Sequence, residues 1–227
     1  MSSSVDPVAV ADAIAAVRSR IASLAGDRPV QLIAVTKGFG PDAIIAAVAG
    51  GCTAIGENYA QELIPKLAEL PPELPRPAVH FIGQLQSNKV RSLAPIVDVW
   101  QTVDRDSLVS EIARRAPAAR VFVQVNTTAE AEKGGCSPDA TAAVVDACTA
   151  AGLIVEGLMT VGPTSGDRSA THAAFGLLRS LADAQGLEGC SMGMSGDLDI
   201  ALEHGATHVR IGSALFGERP QRGARIS

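Results

Sequence analysis

The sequence predicts a (β/α)8 barrel. Eight short apolar runs, rich in Val and Ile, alternate with helical stretches, the pattern of parallel strands joined by crossover helices. Gly, Pro, Ser or Asp punctuates most junctions. No Gly-x-Gly-x-x-Gly turn follows the first run, which disfavours an open doubly wound sheet. The chain has 227 residues, slightly short for such a barrel, which typically takes about 250. It is 47% hydrophobic and 19% charged, enough for one large core, and no linker divides it. We therefore expect one domain over 1–227.

An N-terminal helix over about 7–25 precedes the alternation. Asp6 can cap it, Pro7 suits its first position, and Val10, Ile14, Val17, Ile21 and Leu24 form one apolar stripe. The first strand is expected over 30–35, because a β-branched run is stopped by Gly38, Gly40 and Pro41; its helix spans 41–48, closed by Gly50 and Gly51. The second strand is expected over 53–55, with a helix over 58–70. A Pro-rich loop, 71–77, leads to the third strand over 79–82, after which Ser87 can cap a helix through Leu93. The fourth strand is expected over 96–100, and Asp104 can cap a helix to Arg115. The fifth, 120–125, alternates and is apolar; a loop through Lys133, Gly134 and Gly135 leads to a helix over 138–151. A sixth strand over 153–159 and a helix over 169–185 follow. A weak seventh strand over 188–192, a helix over 196–203 and an eighth strand over 207–211 complete the barrel. Ser213 opens a last short helix, and 218–227 is a short tail.

The formal net charge is −5 and the pI about 5.4, which argues against a nucleic-acid footprint. Aromatic residues make up only 3%, so base-stacking platforms are not expected either. Cys52, Cys136, Cys148 and Cys190 form no Cys-x-x-Cys pair and read as buried free thiols of a reducing compartment. His80, His172, His204 and His208 show no zinc pattern, so no metal is expected. The N-terminus lacks a basic region followed by an apolar stretch, and no run of about 18 apolar residues occurs. A cytoplasmic protein without membrane contact is the expectation.

A barrel of this kind binds ligands at the carboxyl ends of its strands. Lys37 lies just beyond the first strand. It is either a solvated charge or a desolvated amine able to form a Schiff base. After the seventh strand, Ser195 can cap the next helix; after the eighth, Gly212 permits close backbone approach and Ser213 starts a helix. These are the two loops where such barrels often hold phosphate, and either phosphate binding or ordinary turn chemistry accounts for them. Arg210 is either salt-bridged within the barrel or aimed at a ligand. Asn58 is either a helix cap or a cavity residue, Glu57 could partner a basic group near the mouth, and Lys89 and Lys133 read locally as solvated charges. No paired carboxylates or Ser-His-Asp arrangement can be read from the chain.

Six motifs occur in order: Leu32-Ile33-Ala34-Val35-Thr36-Lys37, Ile55 through Glu62 (IGENYAQE), His80 through Lys89 (HFIGQLQSNK), Gly157-Leu158-Met159, Ser191-Met192-Gly193-Met194-Ser195, and Val209-Arg210-Ile211-Gly212-Ser213. Together they resemble the pyridoxal phosphate homeostasis protein family over nearly the whole chain. The resemblance implies a barrel of the alanine racemase N-terminal type, with pyridoxal 5′-phosphate (PLP) held as a Schiff base on Lys37. It further implies that Ser195, Gly212 and Ser213 hold the phosphate, that Arg210 faces the pyridine nitrogen and that Asn58 lies near the ring. Lys133 resembles a family lysine in the loop after the fifth strand. Phe39 stands where members often carry a second lysine, Gln84 where they carry a proline, and the tail lacks a lysine pair that some carry.

The family role implied is PLP and vitamin B6 homeostasis without established catalysis, with apo PLP-dependent enzymes as recipients. An arginine facing the pyridine nitrogen fits a holder, because a full donor leaves that nitrogen unprotonated and the ring a weaker electron sink. A racemase also needs an acid–base group opposite its lysine, which in alanine racemase a second domain helps to supply; few residues follow the eighth strand here. A monomer is the expectation. The alternatives are a PLP-dependent racemase or related enzyme using Tyr59 or a lysine, and a PLP-independent Schiff-base aldolase.

Overall fold

The computed structural model describes residues 5–218. Eight parallel strands close into a barrel: β1 Gln31–Val35, β2 Ala54–Glu57, β3 Ala78–Phe81, β4 Val99–Val103, β5 Arg120–Gln124, β6 Ile154–Met159, β7 Gly189–Ser191 and β8 His208–Ile211. Each pairs with its successor, and β8 closes on β1 through the partners Leu32 and Val209, and Ile33 and Arg210. Helices α1 Pro7–Ala25, α2 Pro41–Ala49, α3 Ala60–Ala68, α4 Ser87–Leu93, α5 Asp106–Arg115, α6 Thr141–Ala150, α7 Arg168–Ala184, α8 Leu198–Glu203 and α9 Ser213–Phe216 pack outside. Asp6 caps α1 by accepting from the Val8 and Ala9 N–H groups. The tail beyond Glu218 lies outside the described residues.

The main core lies between the barrel wall and the helices, and includes Ile14, Ile44, Leu63, Trp100, Ile112 and Phe175. Inside the barrel a smaller cluster of Val99, Phe122 and Met159 forms a second apolar layer. Side chains alternate in and out along each strand, so every second residue faces the barrel axis. Gly56 leaves room there: an added Cβ would lie 3.0 Å from both Ile33 and Ile82. No helix among the described residues is long and apolar enough to cross a membrane. The four cysteines are free and buried.

Several expected boundaries move. The fourth strand starts at Val99 rather than 96, because Ile96 and Val97 still donate backward to the Leu93 carbonyl. It runs on through Gln101 and Thr102, polar residues that read as a strand end yet are buried. Asp104 does not cap α5. Its carboxylate pairs with Arg105 at 2.6 Å and accepts the Gly135 N–H at 3.2 Å, and Arg105 takes the cap position. Gln86, not Ser87, stands at the cap of α4. The stretch from Pro138 opens as a 3₁₀ turn, Pro138–Ala140, before α6 begins. Nor does Ser195 cap α8: that position belongs to Asp197, and α8 starts at Leu198 instead of 196.

Candidate functional site

A cavity of about 760 Å³ opens at the carboxyl ends of the strands. Lys37, Asn58, Ser195, Arg210, Gly212 and Ser213 all line it. Alternation explains how residues from separate strands converge. Val35 and Lys37 share one parity on the first strand and its extension, Gly56 and Asn58 on the second, and Arg210 and Gly212 on the eighth.

Arg210 forms part of the cavity's wall. It is 4% exposed, donates through NH1 to Ser191 Oγ at 2.7 Å and through NH2 to the Thr160 carbonyl at 2.7 Å. No ion pair to Arg210 forms among the described residues, and the side chain lines the cavity. Burial pushes its pKa down to about 10, partly offset by the Asp197 charge, so it stays a cation at neutral pH. Behind it, Ser191 Oγ meets Gln101 Oε1 at 2.6 Å, and Gln101 Nε2 meets His80 Nδ1 at 2.8 Å. This polar chain inside the barrel has no sequence-local signal.

At another part of the wall the β7–α8 and β8–α9 loops touch. Ser195 Oγ accepts from Ser213 Oγ at 3.1 Å and from the Ala214 N–H at 3.2 Å. With both acceptor positions occupied, the Ser195 proton is left to donate into the cavity. Asp197 holds the loop by accepting the Met194 N–H at 2.5 Å. A Cβ on Gly212 would lie 3.3 Å from the Val35 carbonyl, so the glycine permits close packing of the β8 end on β1. Phe39 packs on Phe216 with ring centroids 5.3 Å apart, joining the Lys37 loop to α9.

Asn58 is not a cap; Tyr59 takes that position before α3. The Asn58 side-chain oxygen is buried without a hydrogen-bond partner, an orphaned acceptor at a ligand-sized cavity. Gly83 presses against the Asn58 backbone: a Cβ there would lie 2.1 Å from the Asn58 main-chain carbonyl oxygen. Lys133 also lines the cavity, contrary to its reading as a solvated charge. Its ammonium donates to Glu130 Oε1 at 2.7 Å and to the Gly162 carbonyl. That pairing and a bond from Thr164 hold the Glu130 carboxyl down at about 2. Lys89 is exposed, on the wall of an adjoining polar groove that shares Asn58, Gln84, Thr102 and Gln124 with the cavity.

Glu57 does find a basic partner, on the outer face of the barrel. Its Oε1 accepts from Lys66 Nζ and from Thr36 Oγ1, each at 2.7 Å. Nothing in the local sequence marks Lys66, on helix α3, as a buried cation. It is 7% exposed. No group of three His, Cys, Asp or Glu side chains among the described residues is placed to hold a metal.

The alanine racemase N-terminal domain family matches residues 10–220. A pyridoxal phosphate homeostasis protein from Pseudomonas aeruginosa is 42% identical over 222 residues, covering 92% of this chain and 96% of that protein. The solved structure of PipY from Synechococcus elongatus with PLP bound is 33% identical, with a TM-score of 0.82, covering 92% of this chain and all of PipY. Alanine racemase from Corynebacterium glutamicum shares the fold at 19% identity, with a TM-score of 0.73 over 97% of this chain and 64% of the racemase. By the extent and level of these matches, the chain belongs to the pyridoxal phosphate homeostasis protein family, within the alanine racemase N-terminal domain family.

Proposed function

We propose that this protein binds PLP as a Schiff base on Lys37 and serves PLP homeostasis as a holder of the cofactor. The observation that carries this reading is the convergence of Lys37, Arg210 and the Ser195–Ser213 pair on one cavity. The PLP-bound relative PipY supports it. PLP supplies an aldehyde that condenses with a primary amine and releases water.

The residues present fit that group. Lys37 is half-buried at the cavity wall, where its side-chain amine can meet an aldehyde. Ser195 offers its hydroxyl proton to the phosphate, with Ser213 and Gly212 beside it. Arg210 offers the guanidinium donors that Ser191 and Thr160 leave unused to the pyridine nitrogen. Asn58 would lie near the ring, and a ligand hydroxyl there would satisfy its orphaned oxygen.

The same arrangement favours holding over catalysis. A cationic Arg210 can only donate, so facing the ring nitrogen it would leave that nitrogen unprotonated and the ring a weaker electron sink. Of the acid–base residues of a racemase reading, Tyr59 lines the adjoining groove, whereas the lysine in the cavity, Lys133, is engaged by Glu130 and the Gly162 carbonyl. That groove gives an acceptor amine of an apo PLP-dependent enzyme a polar approach. We further propose a single-domain, cytoplasmic monomer.

Titration with PLP tests the reading. Wild type gains a saturable visible absorbance band that borohydride abolishes, and Lys37→Ala gains none. A wild type without the band, or an unchanged band in the variant, refutes the role of Lys37. Solvent deuterium entering the α-carbon of amino acids, lost in Lys37→Ala, would replace the holder by an enzyme.

A further inference from the structure

Lys66 and Glu57 form a buried ion pair that touches no part of the cavity. Glu57 is fully buried, and the Lys66 side chain is 8% exposed. Taking two charges out of water is costly, and such pairs often add no net stability over shape-matched neutral groups. Glu57 Oε2 also lacks a partner, so the pair is not optimised as a structural one. What it does hold is the backbone on each side of Lys37.

Before Lys37, the Thr36 carbonyl accepts from Lys66 Nζ at 2.9 Å, and Thr36 Oγ1 donates to Glu57 at 2.7 Å. After it, the Gly38 N–H donates to Glu62 Oε2 at 3.0 Å, and that oxygen lies 3.9 Å from the same ammonium. Gly38 has φ +80° in a turn that the Phe39 N–H closes on the Thr36 carbonyl at 3.1 Å, so the oxygen that shapes this turn is the one the buried cation also holds. Lys37 thus stands between two residues tied to one buried cation on α3. Fixing both flanking residues fixes the direction in which the Lys37 side chain leaves the backbone, and only its flexible stem remains to be ordered.

We propose that Glu57, Lys66 and Glu62 are positioning residues that aim Lys37 into the cavity. The proposal rests on the reading of Lys37 as the cofactor lysine. It adds that nucleophile placement is set from outside the barrel wall, by residues that never meet the ligand.

The double variant Glu57→Gln with Lys66→Met tests it, because it removes both charges at similar volume. Two rates are compared with wild type. One is reductive methylation of Lys37 in the PLP-free protein, read by peptide mass against exposed Lys89. The other is growth of the visible band after PLP is added. The expected result is a melting temperature at or above that of wild type, a Lys37:Lys89 methylation ratio changed at least fivefold, and PLP capture at least tenfold slower. Lys37 methylation and PLP capture at wild-type rates would overturn the proposal.

Should the double variant not fold, Glu62→Ala removes the acceptor of the Gly38 N–H from a less buried position. It should slow capture at least threefold, and Glu62→Gln, which restores an acceptor, should recover it. Wild-type capture in Glu62→Ala would likewise overturn the proposal. A wild type without a PLP band refutes the parent reading instead; the methylation ratio, measured without PLP, still decides the clamp.

Discussion

Ser191 Oγ accepts a hydrogen bond from the Arg210 guanidinium at 2.7 Å, and this one bond sets the polarity of the barrel interior. Arginine only donates, so the Ser191 proton passes to Gln101 Oε1 at 2.6 Å. The Gln101 amide must then present its N–H to His80 Nδ1 at 2.8 Å, and His80 carries its proton on Nε2. Nitrogen NMR of the ring should show an unprotonated Nδ1 at neutral pH and still at pH 4. Ser191→Ala leaves Arg210 and Gln101 short of a buried partner, at a cost of about 2–3 kcal/mol in urea unfolding. A protonated Nδ1 at pH 7 would show that the chain runs the other way.

Acid should weaken the fold before its carboxylates titrate. Burial, with the charges of His208 and Arg120, pushes His80 down to about 3. Burial, with Arg120 and Arg210, pushes His208 down to about 4. Both are bases whose folded pKa lies below the unfolded value of 6.5, so below that pH the unfolded chain binds protons that the folded chain refuses. Stability therefore falls as pH drops from 6.5 towards 4 and 3, by about 1.4 kcal/mol per pH unit for each histidine. Between pH 7 and 5 the pair should cost about 3–4 kcal/mol, read as a lower urea midpoint. A midpoint that stays constant over that interval would mean that both rings accept protons in the folded state.

Ser195 should discriminate by phosphate. Its hydroxyl proton is the one directed away from Ser213 and Ala214. Ser195→Ala should weaken PLP binding about tenfold, or about 1.4 kcal/mol, and leave the binding of pyridoxal, which lacks the phosphate, unchanged. Equal losses for the two ligands would place Ser195 elsewhere on the cofactor.

Gly83 should tolerate no side chain. A Cβ would sit 2.1 Å from the Asn58 carbonyl oxygen, and the Gly83 carbonyl is itself held by Thr102 Oγ1 at 2.7 Å. Gly83→Ala should cost about 1–3 kcal/mol and displace Asn58 from the cavity wall, seen as a lower melting temperature together with weaker PLP binding. A variant as stable as wild type would show that the β2 and β3 ends can separate freely.

The alternation of strands and helices, and the strand ends and loops that carry Lys37, Asn58, Ser195, Arg210, Gly212 and Ser213, are legible along the chain. Turn residues and apolar periodicity are local properties; strand parity carries Lys37, Asn58, Arg210 and Gly212 to the mouth of a closed barrel, and the loop after β7 and the start of α9 bring Ser195 and Ser213 there. Tertiary structure alone decided their partners. Gln101 and Ser191 are 90 positions apart, and no spacing along the chain announces that they share a proton. The polar interior also misled the boundary of β4, because Gln101 and Thr102 look like solvent-facing residues until a buried hydrogen-bond chain accounts for them. Lys66 shows the same limit. A lysine on a helix reads as a surface charge, and only the packing of α3 against the barrel turns it inward onto Glu57 and the backbone beside Lys37.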